Sequence, residues 1–246
     1  MNPRRAGPTR ISLREAMSTV QQDSRWWVHC LSYGFAAATG LGLPLTAGFV
    51  MESFDNSRRG YPTPLPPWSD PFARVITGLF TLLIDFSFFV LPVLVGGMLI
   101  MLSSIGLILV GGLAPEGLGP ALTLLTSLTA VVLLLLWLAG AAPLARLLFA
   151  QEGGIEEALS AKPLRMALNR SSGPLFLQAR LASMGAYLPV LLLAGLTVAM
   201  ARPTFPGQSI AVGVGIWLTM AALVYAHLVV VQLYVAAERL ALRAGQ

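Results

Sequence analysis

Nearly all of the charge in this 246-residue chain falls in four short zones, residues 4–25, 52–74, 146–180 and 238–243. The stretches between them are long and apolar, and a full crossing of a bilayer's hydrocarbon needs roughly 20 such residues. This segregation constrains the fold more than any motif. Charged residues are 11% of the chain and mean hydropathy is +0.74, whereas a soluble domain carries about 25% charged residues. The expectation is an all-α integral membrane protein: one transmembrane domain over 26–246 behind a basic segment, 1–25. It is a helical bundle of four to six transmembrane segments. The net charge of +5 and the pI near 10.0 do not argue for nucleic acid, because the arginines flank apolar segments as topology determinants do. A lone cysteine, Cys30, rules out an intrachain disulfide. The first 25 residues lack the apolar core and cleavage site of a signal peptide, so this segment is expected to persist.

The first apolar stretch, Trp26 to Met51, is punctuated by Gly34, Gly40, Gly42, Pro44 and Gly48, poor material for one straight helix. A polar, proline-rich loop is expected over 52–70. The apolar run from Phe72 to about Ala114 is too long for one ordinary span at ~1.5 Å per residue. Interrupted by Asp85 and Pro92, it reads either as an interfacial helix feeding a kinked span or as two shorter spans. A Gly/Pro-rich turn at Ala114–Pro120 leads to a cleaner span over 122–149. Residues 153–168, GGIEEALSAKPLRMAL, read as an amphipathic interfacial helix, with Lys162, Arg165 and Arg170 facing anionic headgroups. Spans over 176–201 and 209–236 complete the set.

Arginine asymmetry sets the orientation. Arg4, Arg5, Arg10, Arg14 and Arg25 precede the first apolar stretch; Arg146, Lys162, Arg165, Arg170 and Arg180 occupy the third zone, and Arg239 and Arg243 end the chain. The turns at 114–120 and 202–208 hold Arg202 alone. Both termini and the 150–174 zone are thus expected in the cytoplasm, in a prokaryotic inner or thylakoid-type membrane. Full crossing by 26–51 gives six spans; a re-entrant first segment gives four. The re-entrant reading is preferred, helped by a faint echo of Leu13–Ser18 in Ile155–Ser160. Repeats of this kind occur in membrane folds.

Several elements then point to a family. Gly48-Phe49 closes the first apolar segment, Arg58-Arg59 follows, then Leu65-Pro-Pro-Trp68-Ser-Asp70, then Gly78-Leu79; later, Gly153 or Gly154 with Ala158 forms a Gly-x-x-x-x-Ala pattern. In these the chain resembles the prokaryotic membrane family of unknown function DUF4013, over most of its length. Phe49 stands where that family usually has tyrosine, and the final span lacks its glycine-arginine ending. The resemblance implies a helical membrane fold and no activity. Read from its residues, the motif is an anchor: two prolines stiffen it, Trp68 suits the headgroup layer, and Asp70 caps a helix opening at Pro71.

Convergent polar groups are scarce, so no catalysis is expected. His29 and His227 have no Cys/His/Asp/Glu partners at metal-site spacing, and no motif names a cofactor. His29, beside Trp26 and Trp27, reads as part of an interfacial belt, and His227 as a polar contact to a neighbouring helix. Glu52 and Glu238 each end an apolar segment and read as solvated. Asp85 is the one acid inside a long apolar run: an intramembrane polar site if deep, unremarkable if at the surface. Gly40 and Gly97 mark small-residue faces that permit close helix approach. The function expected first is an accessory or assembly subunit packed on other integral membrane subunits, with a bioenergetic or photosynthetic complex as natural host. The alternative is a small transporter or lipid-handling protein.

Overall fold

A backbone N–H or C=O facing lipid finds no water, and the α-helix satisfies these groups within one segment. The computed structural model describes residues 10–61, 63–68, 70–110, 118–202 and 206–244, and over these every regular element is a helix. Four helical runs are long and apolar enough to cross a membrane: Pro71–Leu109, Leu118–Gln151, Gly173–Met200 and Gln208–Arg243. Arg4 and Arg5, and most of the turn expected at 114–120, lie outside the described residues.

The chain begins with α1 (Leu13–Gln21), then α2 (Trp26–Ala38) and α3 (Leu43–Arg59). The last two form a helical hairpin turning at Gly40 (φ +74°) and Gly42. Its middle meets the final helix α12 (Gln208–Ala244): Trp217 Nε1–H donates to Leu31 O at 2.8 Å, and Gly34 leaves no room for a Cβ against the Ala221 backbone. Its two ends meet α12 further toward the C-terminus. The Trp26 ring lies 5.0 Å from that of Tyr225, and Arg58 pairs with Glu238 at 3.0 Å. The segment therefore enters and leaves on the same side, and its tip shows Phe35, Leu41 and Leu43 exposed. The first apolar stretch is re-entrant.

The loop expected from residue 52 starts eight residues later, since α3 continues to Arg59. The polar residues there are helical because each finds a partner. Glu52 accepts from Arg74, Asp55 pairs with Arg59, Ser57 Oγ accepts from Gln232 at 2.7 Å, and Arg58 holds Glu238. Glu238, 8% exposed, is thus not solvated as its position suggested, and Glu52 is tied to a buried guanidinium. A surface reading of segment-ending acids missed the arginines that tertiary packing brings to them.

Next come α4 (Pro71–Asp85), a wide π turn over Phe86–Val90 and α5 (Leu91–Val110). Pro92 has no N–H for the carbonyl one turn back, and Leu91 N–H reaches Phe86 O in the five-residue pattern instead. α4 locks onto α3 through glycines: a Cβ on Gly48 would meet the Arg74 carbonyl, and one on Gly78 the Pro44 carbonyl. α6 (Leu118–Ala139) packs back on α5, with Leu133 over Gly96. The expected clean span is broken after α6 by Gly140 (φ +64°), and α7 (Ala141–Glu152) follows at an angle. Two short helices, α8 (Ile155–Ala158) and α9 (Lys162–Leu168), stand where one amphipathic helix was expected. Pro163, at the start of α9, cannot donate back across Ser160 and Ala161.

α10 (Gly173–Ala186) and α11 (Leu188–Met200) form one bent run, broken at Tyr187 ahead of Pro189. α12 is the hub. In the most apolar window of this run 44% of residues are buried, against 0–11% in the other three. α1, α2, α3, α7, α10 and α11 all pack on it. The α5–α6 hairpin is the opposite: α6 has no buried residue.

Candidate functional site

The charge-free parts of the spans show where hydrocarbon begins. α5 and α6–α7 are uncharged up to Asp85 and Arg146, and residues 181–201 carry no charge until Arg180. That last stretch of 21 residues is ~31 Å long, one hydrocarbon thickness. Asp85, Arg146 and Arg180 therefore mark the same boundary on three separate segments. The structure brings all three together.

They line a cavity of about 650 Å³ between the π turn at the end of α4, the α6–α7 bend, α10–α11 and α12. Arg146 grips Asp85 with both arms of its guanidinium, Nε donating to Oδ1 at 2.8 Å and Nη2 to Oδ2. Asp85 is thus neither a lone midplane acid nor a surface residue. It is half of a largely buried ion pair at the hydrocarbon edge. The π turn that begins at Phe86 sits directly behind it.

Arg180 is held differently. Its Nε donates to the Trp137 carbonyl at 3.0 Å, and its guanidinium lies 4.2 Å from the Trp137 ring centre. Among the described residues no carboxylate pairs with it. Trp137 can reach it because α6 ends there: Gly140, in a conformation that L side chains rarely adopt, turns the chain, and the Tyr234 hydroxyl fills the place of a Cβ. Deeper in the cavity are His227 and Tyr187, in edge-to-face contact at 5.9 Å. Tyr187 lies seven residues beyond Arg180, about 10 Å toward the hydrocarbon. His227 makes no hydrogen bond among the described residues; its contact with the neighbouring helical run is the Tyr187 ring. Leu136, Met184, Leu191, Leu223 and Val230 supply apolar wall, and the exposure of Phe89, Met184 and Leu191 shows that the cavity is open beside them.

The Leu65–Asp70 loop motif adjoins a second polar cluster, and it is closed. Arg74, 2% exposed, donates to Glu52 Oε2 from Nε at 3.0 Å and from Nη2 at 2.6 Å, to the Tyr33 hydroxyl, and to Pro67 O at 2.9 Å. Trp68 stacks on His29 and Tyr33, with centroids 5.5 and 4.9 Å apart. His29 is consequently buried under aromatic rings and is not part of an interfacial belt. Asp70 accepts from Ala73 N–H at 3.1 Å and caps α4 as its sequence position implied.

Residues 33–199 match the family described as Protein of unknown function (DUF4013). The chain belongs to that family. No curated protein and no solved structure matches it. This DUF4013 chain is a multi-pass helical membrane protein in contact with the lipid bilayer. Its motif residues serve the closed cluster and the caps: Gly48 and Gly78 join α3 to α4, Gly153 ends α7 with φ +68°, and Ala158 is fully buried beside Ile84 and Ala145.

The remaining sequence-predicted residues scatter. Gly40 is the turn of the hairpin, its positive φ disfavouring any side chain, and nothing within the described chain packs against it. Gly97 has open space around it on α5. Lys162 pairs with Glu157 within the 155–168 segment. Of the expected site residues, Asp85 and His227 alone line the cavity. Sequence reading used Arg146 and Arg180 only for topology and did not single out Trp137 or Tyr187. The signal available was the coincidence of charge-free boundaries at Asp85, Arg146 and Arg180.

Proposed function

We propose that this protein is a non-enzymatic lipid-handling membrane protein that holds a bilayer amphiphile in the cavity at the hydrocarbon edge. The observation supporting this is the cavity itself, with charged groups at one end, apolar walls deeper, and an opening beside Phe89, Met184 and Leu191. A pocket of this size, mostly apolar with a few fixed polar groups, is the usual form of a small-ligand site. Its chemistry suits binding. Of the three charged groups two are spent on each other, the Ser183 hydroxyl donates to the Arg180 carbonyl, and His227 makes no hydrogen bond among the described residues, so no base is paired to a nucleophile there. The arginine asymmetry supports a prokaryotic inner or thylakoid-type membrane with both termini cytoplasmic, which puts the charged end of the cavity at the cytoplasmic leaflet.

The test is native mass spectrometry of the full chain released from gentle detergent. The wild type should retain an amphiphile, and Leu191→Trp, which crowds the opening, should lower its occupancy. Equal retention by both would exclude the cavity as the holding site. Reporter fusions at the two ends check the orientation: periplasmic reporter activity at either end contradicts it.

A second reading, the accessory subunit packed on other membrane proteins, is favoured by the α5–α6 hairpin. α6 has no buried residue, and Gly97 leaves an open notch of the kind that helix contacts in lipid use. Gly97→Leu should then release a co-purifying partner while the protein stays inserted, and Asp85→Asn should leave that partner bound.

A further inference from the structure

We infer that the amphiphile taken by the cavity is an anion, its carboxylate or phosphate seated on Arg180 and its chain running along Leu136, Met184 and Leu191. The inference rests on the reading of the cavity as an amphiphile site and adds the charge of the ligand and the residue that selects it.

The first support is the charge account. Asp85 and Arg146 neutralise each other, and the remaining charged group on the cavity wall is Arg180. An uncompensated cation next to hydrocarbon is costly, ~2.5–3.5 kcal/mol for a lone arginine at a helix centre on insertion scales. Such groups are paired or lead to a ligand or an ion path. Arg180 has no carboxylate partner among the described residues, and both oxygens of the nearby Asp85 are taken by Arg146.

The second support is orientation. The Trp137 carbonyl takes the Nε hydrogen and the indole ring takes one face of the guanidinium. Neither Nη1 nor Nη2 has a protein acceptor among the described residues. What is left is a planar, two-pronged donor held by its neighbours, and carboxylate and phosphate oxygens match that fork. Holding the fork in advance reduces the ordering cost of binding.

The third support is the gradient along the cavity. Arg180 is at the hydrocarbon edge, and the apolar wall residues lie on the membrane side of it. A head on Arg180 thus places an alkyl chain in the direction of Leu191. The Arg74 cluster, equally rich in polar groups, lacks this feature: its guanidinium is fully spent on Glu52, Tyr33 and Pro67, and Trp68 covers it.

Trp137 supplies the readout, because bromine on a bound chain quenches a nearby indole. The full chain in neutral detergent is titrated with dibromostearic acid and with the matching dibromostearyl alcohol. Saturable quenching by the acid is expected, weaker by about tenfold or more for the alcohol and for the acid with Arg180→Gln, the loss of one charge-assisted pair. Arg180→Lys should recover part of it, and Trp137→Phe should remove the saturable component. Acid and alcohol binding equally, with Arg180→Gln silent, would overturn the anionic inference while leaving the amphiphile site standing. No saturable quenching by either would overturn both. Displacement of the acid by millimolar inorganic phosphate would assign the site to a soluble anion and overturn the inference as well. If Arg180→Gln does not yield folded protein, the acid-to-alcohol ratio on the wild type decides alone.

Discussion

Arg74 and Arg180 occupy the same chemical niche, an arginine beside aromatic rings at the edge of the bilayer, and the fold treats them in opposite ways. Arg74 is wholly enclosed, with a carboxylate, a tyrosine hydroxyl and a backbone carbonyl as partners. Arg180 is partly open, with one carbonyl and one ring. The difference follows from what surrounds each. The loop after α3 folds Pro67 and Trp68 over Arg74, and the glycines at 48 and 78 bring α3 and α4 close enough for Glu52 to reach it. Around Arg180 the α6–α7 bend supplies only the Trp137 carbonyl and ring, and the cavity lies beside them. A saturated arginine is structure; an unsaturated one is available to a ligand.

The comparison is broken most directly by truncating both arginines. Arg74→Ala strands Glu52 and opens a cavity under Trp68, and breaking a buried pair of this kind costs about 3–5 kcal/mol. Thermal unfolding in detergent should show a large drop in midpoint for Arg74→Ala and a small one for Arg180→Ala. Equal drops would mean that Arg180 is a structural residue like its counterpart.

Gly140→Ala sharpens the same contrast. A side chain in the left-handed region costs about 1–2 kcal/mol, and here the new methyl also meets the Tyr234 hydroxyl. The variant should unfold earlier and lose part of its Trp137 fluorescence signature, because the bend that places Trp137 over Arg180 is disturbed. Gly97→Ala, in open space on α5, is the control and should change neither.

The smallest effect is expected at the 155–168 segment. Lys162 and Glu157 are each roughly half exposed, and exposed pairs contribute about 0–1 kcal/mol. Lys162→Ala should leave the unfolding midpoint within a degree or two of wild type, as differential scanning fluorimetry would register. Spin labels along 155–168 should give two short periodic stretches separated at Ser160–Ala161, and one unbroken period would contradict the break at Pro163.

How much of this was legible beforehand differs from element to element. The cap at Asp70 and Pro71 was readable because capping is local: the side chain bonds a backbone N–H three residues away. The re-entrant first segment was readable in part, since glycines at 40 and 42 and Pro44 break one straight helix into two. The bend at Gly140 escaped notice because glycine within an apolar run is common in membrane helices; the Tyr234 hydroxyl that fills the place of its Cβ comes from another segment, 94 residues away along the chain. Glu52 and Glu238 read as solvated for the same reason, their arginine partners being 22 and 180 residues distant.

By itself, then, the sequence determined the solvent: long uncharged runs can satisfy their backbone in hydrocarbon only as helices, so the membrane fold and the approximate spans follow from composition and spacing. The tertiary structure decided the charges. Whether Asp85, Arg74, Arg146 and Arg180 are paired, buried or open depends on which helices cross and how closely. In lipid that is set by packing at a few glycines and by turns such as Gly140, whose effects are not carried in any local pattern of residues.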